Sequence, residues 1–219
     1  MANRPVYVPQ KSATSFVQEI PVEFQWFAGM SVSQKQKSIA SLHSAIQEQR
    51  GLKRVLEISS KSANPIGVRL SAFNLMVPIG EQQVSVESAF QASKQFQNGG
   101  PYLDLLSMSS RDAKTDPRLR DSGPLTGFFL NGEAWPLQPT TSFYDWIYLQ
   151  ALSSNPDLAE ALMEFEAFTD IEFNPDKSLN CQARSAALYV SLNKEGRLGE
   201  ALSGRTAYFE VLRSVSGKK

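Results

Sequence analysis

Glycine and proline cut this chain into short pieces, and that punctuation bounds what it can fold into. Residues 117–141 alone hold four prolines and three glycines. Proline removes a backbone donor and glycine loosens the backbone, so neither sits easily inside a long regular element. No run of about 18 apolar residues survives between the breaks, so nothing is expected to span a membrane. Short periodic segments of both kinds remain. The spacing predicts a helix from Ser31 or Ser33 to Gly51, capped by serine, closed by glycine, with Ile39, Leu42, Ala45 and Ile46 as its apolar face. Further helices are expected over residues 84–96, 102–116, 142–155, 156–168 and 180–196. "RVLEIS" (54–59) reads as a strand, residues 70–79 become extended after an irregular start, and 169–175 form a short extended piece. Asn131-Gly132 is a strong hairpin turn signal. The first 20 residues, with Pro5 and Pro9, read as an extended arm, and the last four as disordered. No repeat, heptad or clean linker is present. The fold class that follows is α+β, mostly helical, as one domain with short strands and hairpins. Residues 1–54 form an N-terminal helical extension packed on a domain over 55–215.

Charge excludes some functions. Lys and Arg total 22, Asp and Glu total 22, and the formal net charge is zero. Bulk charge therefore gives no footprint of a strong nonspecific nucleic-acid binder, although Arg111, Lys114, Arg118 and Arg120 form a local basic group. Cys181 is the single cysteine. It permits no internal disulfide and no thiolate zinc site, and it favours a reducing, cytoplasmic setting. The first residues lack the apolar core of a signal peptide. His43 is the only histidine. No nucleophile motif surrounds it, and it reads as a polar helix-face residue. Neither dinucleotide nor mononucleotide phosphate-loop motif is present, and Gly99-Gly100 follows a predicted helix where a phosphate cradle would open one. Scattered carboxylates have no metal-ligand spacing, so no metal or other cofactor is implied.

The segment "VSVESAFQASKQF" (84–96) raises a sharper question. Read as one helix, it lines up Glu87, Gln91 and Lys94 beside a stripe of Val86, Ala89, Phe90 and Ser93. Such a stripe is either solvated salt-bridge surface or the wall of a site. Lys35 and Lys37 pose a smaller question, since cations near a helix start oppose its dipole.

"GVRLSAFNLMV" followed by "VSVESAFQASKQF" resembles the signature of the NADAR family: Gly–x–Leu-Ser-Asn-Phe, a short hairpin, then Ser-x-Glu-His-x-Phe-Gln-Ala-x-Lys-Phe. Gly67, Leu70, Ser71 and Phe73 match the first part; Glu87, Phe90, Gln91, Ala92 and Lys94 match the second. "NPDLAEALMEFEAFTDIEFNP" resembles a later family segment in which Glu172 is the acidic residue. Ala72 stands where the family has asparagine, with Asn74 two places on; Ser88 replaces histidine, and the terminal Trp-Gly is missing. The block "WFAGMSVSQKQKSI" lies outside the common domain. With these departures the chain is similar to the divergent NADAR proteins paired with DarT-type toxins, over roughly residues 55–200.

The resemblance implies hydrolysis of an N-glycosidic bond. In the toxin-associated branch, ADP-ribose is removed from the exocyclic amino group of guanine in DNA, which makes the protein an antitoxin. ADP-ribosylated DNA is then the substrate, ADP-ribose a product, and the cognate DarT-type toxin a partner. Cleaving small ribosylated metabolites, or binding ADP-ribose or toxin without catalysis, are the alternatives. Such a bond breaks through a cation-like anomeric carbon. Glu87 would stabilise that cation or position water. A neutral lysine could instead attack the carbon and form a Schiff base; Lys61 and Lys35 are the candidate nucleophiles, and Lys94 is read as binding or structural. Ser71, Phe73, Asn74, Phe90, Gln91, Lys94, Arg69, Asp170 and Glu172 are the expected substrate-binding residues. Ser59, Ser60 and Ser62 offer hydroxyls to a diphosphate, and Phe73, Phe90, Trp135 or Trp146 a ring for a base, though core packing accounts for most aromatics.

Overall fold

The computed structural model describes residues 1–10, 14–176 and 178–216. Strands β1 (Ala2–Pro9) and β2 (Val17–Phe24) lead to helix α1 (Val32–Arg50), strand β3 (Val55–Glu57) and a short helix α2 (Pro65–Arg69). Hairpin strands β4 (Met76–Ile79) and β5 (Gln82–Ser85) run into α3 (Val86–Ala92) and β6 (Lys94–Phe96). A 3-10 turn (Leu103–Ser107) precedes α4 (Ser110–Thr115), α5 (Arg118–Asp121) and hairpin strands β7 (Leu125–Leu130) and β8 (Glu133–Trp135). Helices α6 (Ser142–Ser153) and α7 (Pro156–Leu162), strand β9 (Ala167–Thr169), and helices α8 (Gln182–Lys194), α9 (Leu198–Leu202) and α10 (Arg205–Ser216) complete the chain. The class is α+β. Two compact units form, one from Met1–Ser71 with the chain from Asp157 onward, the other from Ala72–Pro156.

In the first unit, four strands pair in the order β2-β1-β9-β3. The expected N-terminal arm is instead a strand, because β1 pairs antiparallel with β2 along its whole length, Pro5 opposite Pro21. Proline lacks an N–H, so it suits a strand position that owes no ladder bond. β2 is an edge, and β1 meets β9 only at Tyr7–Phe168. β3 and β9 run parallel, with Glu57 in register with Thr169. Helix α1 obeys its sequence signals: Ser31 Oγ accepts from the Gln34 N–H and Gly51 closes in the left-handed region. Its face of Ile39, Leu42 and Ile46 packs with Val6, Val22, Phe24, Ala167 and Ile171. Each such buried side chain contributes about 1.5–3 kcal/mol. Helix α8 is small and apolar on the face laid against β1 and β9. Helix α10, which the sequence reading did not assign, buries Tyr208, Val211 and Val215. The expected disordered tail falls largely on residues 217–219, outside the described residues.

In the second unit, β6, β7 and β8 form an antiparallel sheet. The β7–β8 turn is the predicted Asn131-Gly132, both at positive φ. Phe128 stacks on Phe143 at 4.5 Å, and Phe90, Tyr144, Trp135 and Trp146 extend this aromatic core.

Three predicted helices were too long. The helix over 84–96 stops at Ala92, because the Ala92 and Ser93 carbonyls accept from the Tyr102 and Phe129 N–H groups, at 2.9 and 2.7 Å. Lys94 therefore stands on a strand, off the stripe of Glu87 and Gln91, and Gly99-Gly100 closes a strand segment. The helix over 102–116 breaks at extended Met108, after which Ser109 caps α4. The helix over 156–168 ends at Leu162, because Ala167–Thr169 pairs with β3 instead of continuing it.

Candidate active site

In the second unit, α3 opens on a hydroxyl network. Ser85 caps it by accepting from the Ser88 N–H. Ser110 Oγ donates to Ser85 Oγ (2.7 Å), which donates to Ser88 Oγ (2.9 Å), which donates to the Met108 carbonyl (3.2 Å). Every residue of this seven-residue helix is buried, Glu87 and Gln91 included. Glu87 therefore does not decorate a wet surface. Its backbone N–H donates to the Ala72 carbonyl at 2.9 Å, tying it to the stretch that carries Phe73 and Asn74.

The Glu87 carboxylate is held from two sides. Gln91 Nε2 donates to its Oε1 at 2.9 Å, and Lys114 Nζ stands 3.4 Å from the same oxygen. Lys114 also lies over the Phe73 ring at 5.1 Å. Phe73 and Asn74 are exposed, whereas Phe90 is buried in the aromatic core. Lys94 Nζ sits 4.9 Å over the Phe90 ring. Burial pulls the Lys94 ammonium below its ordinary range; nearby Glu87 opposes this and Lys114 adds to it. A carboxylate, a locked amide and a desolvated amine thus share one unit. Arg118 spends its charge on Asp104 and Asp116, at 2.6 and 2.9 Å, and only Arg111, Lys114 and Arg120 of the basic group are outwardly exposed.

The first unit holds the other expected residues. Lys35 Nζ is 3.0 Å from Glu172 Oε1 and 5.0 Å from the Trp26 ring centre, so the cation that opposes the α1 dipole has an acid and a ring as partners. Lys61 follows Ser59, whose Oγ accepts the Lys61 N–H. Ser71 is buried and donates to the Val68 carbonyl at 2.8 Å; Arg69 is exposed. At the N-terminus of α2, Pro65 has no N–H and Asn64 Oδ1 takes that of Ile66. Ser62 Oγ takes the Asn64 N–H. Gly67 is a packing requirement: a Cβ there would lie 1.9 Å from the Glu57 carbonyl and 2.6 Å from Ser62 Oγ.

Buried Glu57 and Thr169, with half-buried His43, join Asp170 in a network that the sequence reading missed. Glu57 Oε1 accepts from the Ile171 N–H (2.9 Å) and Oε2 from Thr169 Oγ1 (2.7 Å). Thr169 has one proton and gives it to Glu57, so it accepts from His43 Nε2–H across 3.0 Å. Burial pushes the Glu57 carboxyl up, against the pull of these donors, and Glu172 adds repulsion. Burial and then Glu57 push Asp170 up to about 8, although Asp170 Oδ1 accepts from the Glu172 and Phe173 N–H groups. His43 is half-buried, and desolvation takes its imidazole down to about 4. A cleft of about 260 Å³ lies here, lined by Gln36, Ile39, His43, Glu57, Ser62 and Asn64 among others. The available signal was an acid between the apolar Val55, Leu56 and Ile58 of "RVLEIS".

Among the described residues, no helix is long and apolar enough to cross a membrane. The residues that carry Glu87 and Gln91 are those of the NADAR signature. The family model of DarT1-associated NADAR antitoxins matches residues 2–219, and the chain belongs to that family. Its role is that of a DarT-associated antitoxin. The match includes the N-terminal block that lies outside the common domain. No curated protein sequence matches the chain.

Proposed function

We propose that this antitoxin is an N-glycosyl hydrolase that removes ADP-ribose from the exocyclic amino group of guanine in DNA, reversing a DarT-type ADP-ribosyltransferase. The observation that carries this reading is the buried Glu87 carboxylate, fixed by Gln91 and Lys114 within electrostatic reach of a desolvated Lys94. Such a carboxylate is suited to face a developing cation. A neutral amine is suited to attack an anomeric carbon. Burial depresses the Lys94 ammonium, which supports Lys94 as the attacking group, while Lys35 is ion-paired to Glu172.

In that sequence the Lys94 amine bonds to the anomeric carbon as the bond to the guanine amino nitrogen breaks. The departing nitrogen takes the proton that the attacking amine gives up, and Glu87 balances the positive charge on the sugar. Ring opening gives an imine to Lys94. Water adds to it, frees ADP-ribose and restores the lysine. Phe73, exposed under Lys114, and exposed Asn74 are the candidates for substrate contact in this reading. Arg69, Ser71, Asp170 and Glu172 are carried as binding residues on the family match alone. The site needs no cofactor in this scheme, and the single buried cysteine, Cys181, suits a cytoplasmic protein.

The test is incubation with DNA carrying ADP-ribosylated guanine, followed by mass analysis. Release of ADP-ribose with unmodified guanine is expected. Intact modified DNA alongside tight toxin binding would replace the enzyme with a binding module. Cleavage of small ribosylated compounds but not DNA would move the substrate class.

A further inference from the structure

Gln91 carries an unanswered hydrogen-bonding group. The residue is 6 % exposed, its Nε2 donates to Glu87, and its Oε1 is buried without a hydrogen-bond partner. A buried acceptor left unmade is unfavourable, and native structures rarely keep one without a reason. The amide cannot turn over to relieve it. Glu87 is ion-paired to Lys114 through Oε1, so a carboxylate faces the amide and only the NH2 side can meet it. Gln91 therefore presents a fixed acceptor one helical turn from the carboxylate.

Resting on the proposed function, we infer that Gln91 Oε1 accepts the ring N1–H of the modified guanine and so sets the choice of base. The chemistry of amino-bearing bases supports this. In guanine the exocyclic amino group neighbours a ring N–H, which is a donor. In adenine and cytosine it neighbours a ring nitrogen with a lone pair, which is an acceptor. A locked acceptor beside the group that handles the sugar–nitrogen bond complements guanine and opposes the other two. Sites built on a buried hydrogen bond discriminate strongly, because the wrong ligand leaves the protein group unpaired.

The experiment compares two oligonucleotides carrying ADP-ribose on the guanine amino group, one with guanine and one with N1-methylguanine. Each is turned over by wild type, Gln91→Met and Gln91→Glu. Wild type should lose about tenfold or more in kcat/KM on the methylated substrate. Gln91→Met, with no acceptor, should lose about twofold or less, while Gln91→Glu should retain a wild-type-like penalty. Equal rates of wild type on both substrates would overturn the inference, whether or not either variant folds, and would leave the glycohydrolase reading standing. An equal penalty in wild type and Gln91→Met would also overturn it, as a steric effect. No release by wild type from either substrate would bring down the proposed function and this inference together.

Discussion

Thr169 Oγ1 donates to Glu57 Oε2 across 2.7 Å, joining strands β3 and β9 at the one register pair where both side chains are polar and buried. Asp170 follows directly, so two carboxyl groups stand in a space that disfavours their charge.

This arrangement makes stability pH-dependent. Asp170 is raised from 3.8 to about 8, so between those values the folded state binds more protons than the unfolded one. Its contribution is full below pH 4 and is lost as pH rises toward 8, on the order of several kcal/mol. Asp170→Asn should match wild type near pH 4 and be more stable at pH 8 to 9. Urea unfolding at both pH values checks this, and an unchanged stability difference would contradict it.

His43 acts with the opposite sign. Its value falls from 6.5 to about 4, so between them the unfolded state binds more protons. The stability it supports is full above pH 6.5 and is lost as pH falls toward 4, by about 3 kcal/mol. His43→Gln keeps a donor for Thr169 and should flatten this acid limb in the same unfolding assay. A limb as steep as that of wild type would show that other groups produce it.

Gly67→Ala should be severe despite its single methyl group. The added Cβ meets the Glu57 carbonyl and Ser62 Oγ, and one is rigid backbone. A loss of about 3 kcal/mol is expected from overpacking, read as a lower urea midpoint. Wild-type stability would mean that α2 slides freely on β3.

Glu87→Gln should fold normally and lose at least about a hundredfold in ADP-ribose release, as general acid–base or charge-stabilising groups do. Full turnover would remove Glu87 from the chemistry.

Lys94 makes a separate prediction. Borohydride added during turnover should trap ADP-ribose on Lys94, located by peptide mass analysis, and Lys94→Arg should trap none. The rate should rise with pH through a limb below the 10.5 of a free lysine. An adduct on Lys35 or Lys61 would move the nucleophile.

Much of this protein was legible in its residues. Caps and breakers placed α1 between Ser31 and Gly51, and Asn131-Gly132 placed the β7–β8 hairpin, because these signals act within a few bonds. The signature pointed to Glu87, and to the family that matches residues 2–219. Tertiary structure alone decided where the helices holding Lys94 and Ala167 stop. Their backbone groups found partners on β7 and β3, far along the chain, that no local propensity encodes. It also decided that Pro5 lies in a strand, that His43 is half-buried beside a cleft, and that Glu57, Thr169 and Asp170 gather in one buried cluster. Desolvation and hydrogen-bond satisfaction depend on what surrounds a group in space, and sequence order alone does not record that.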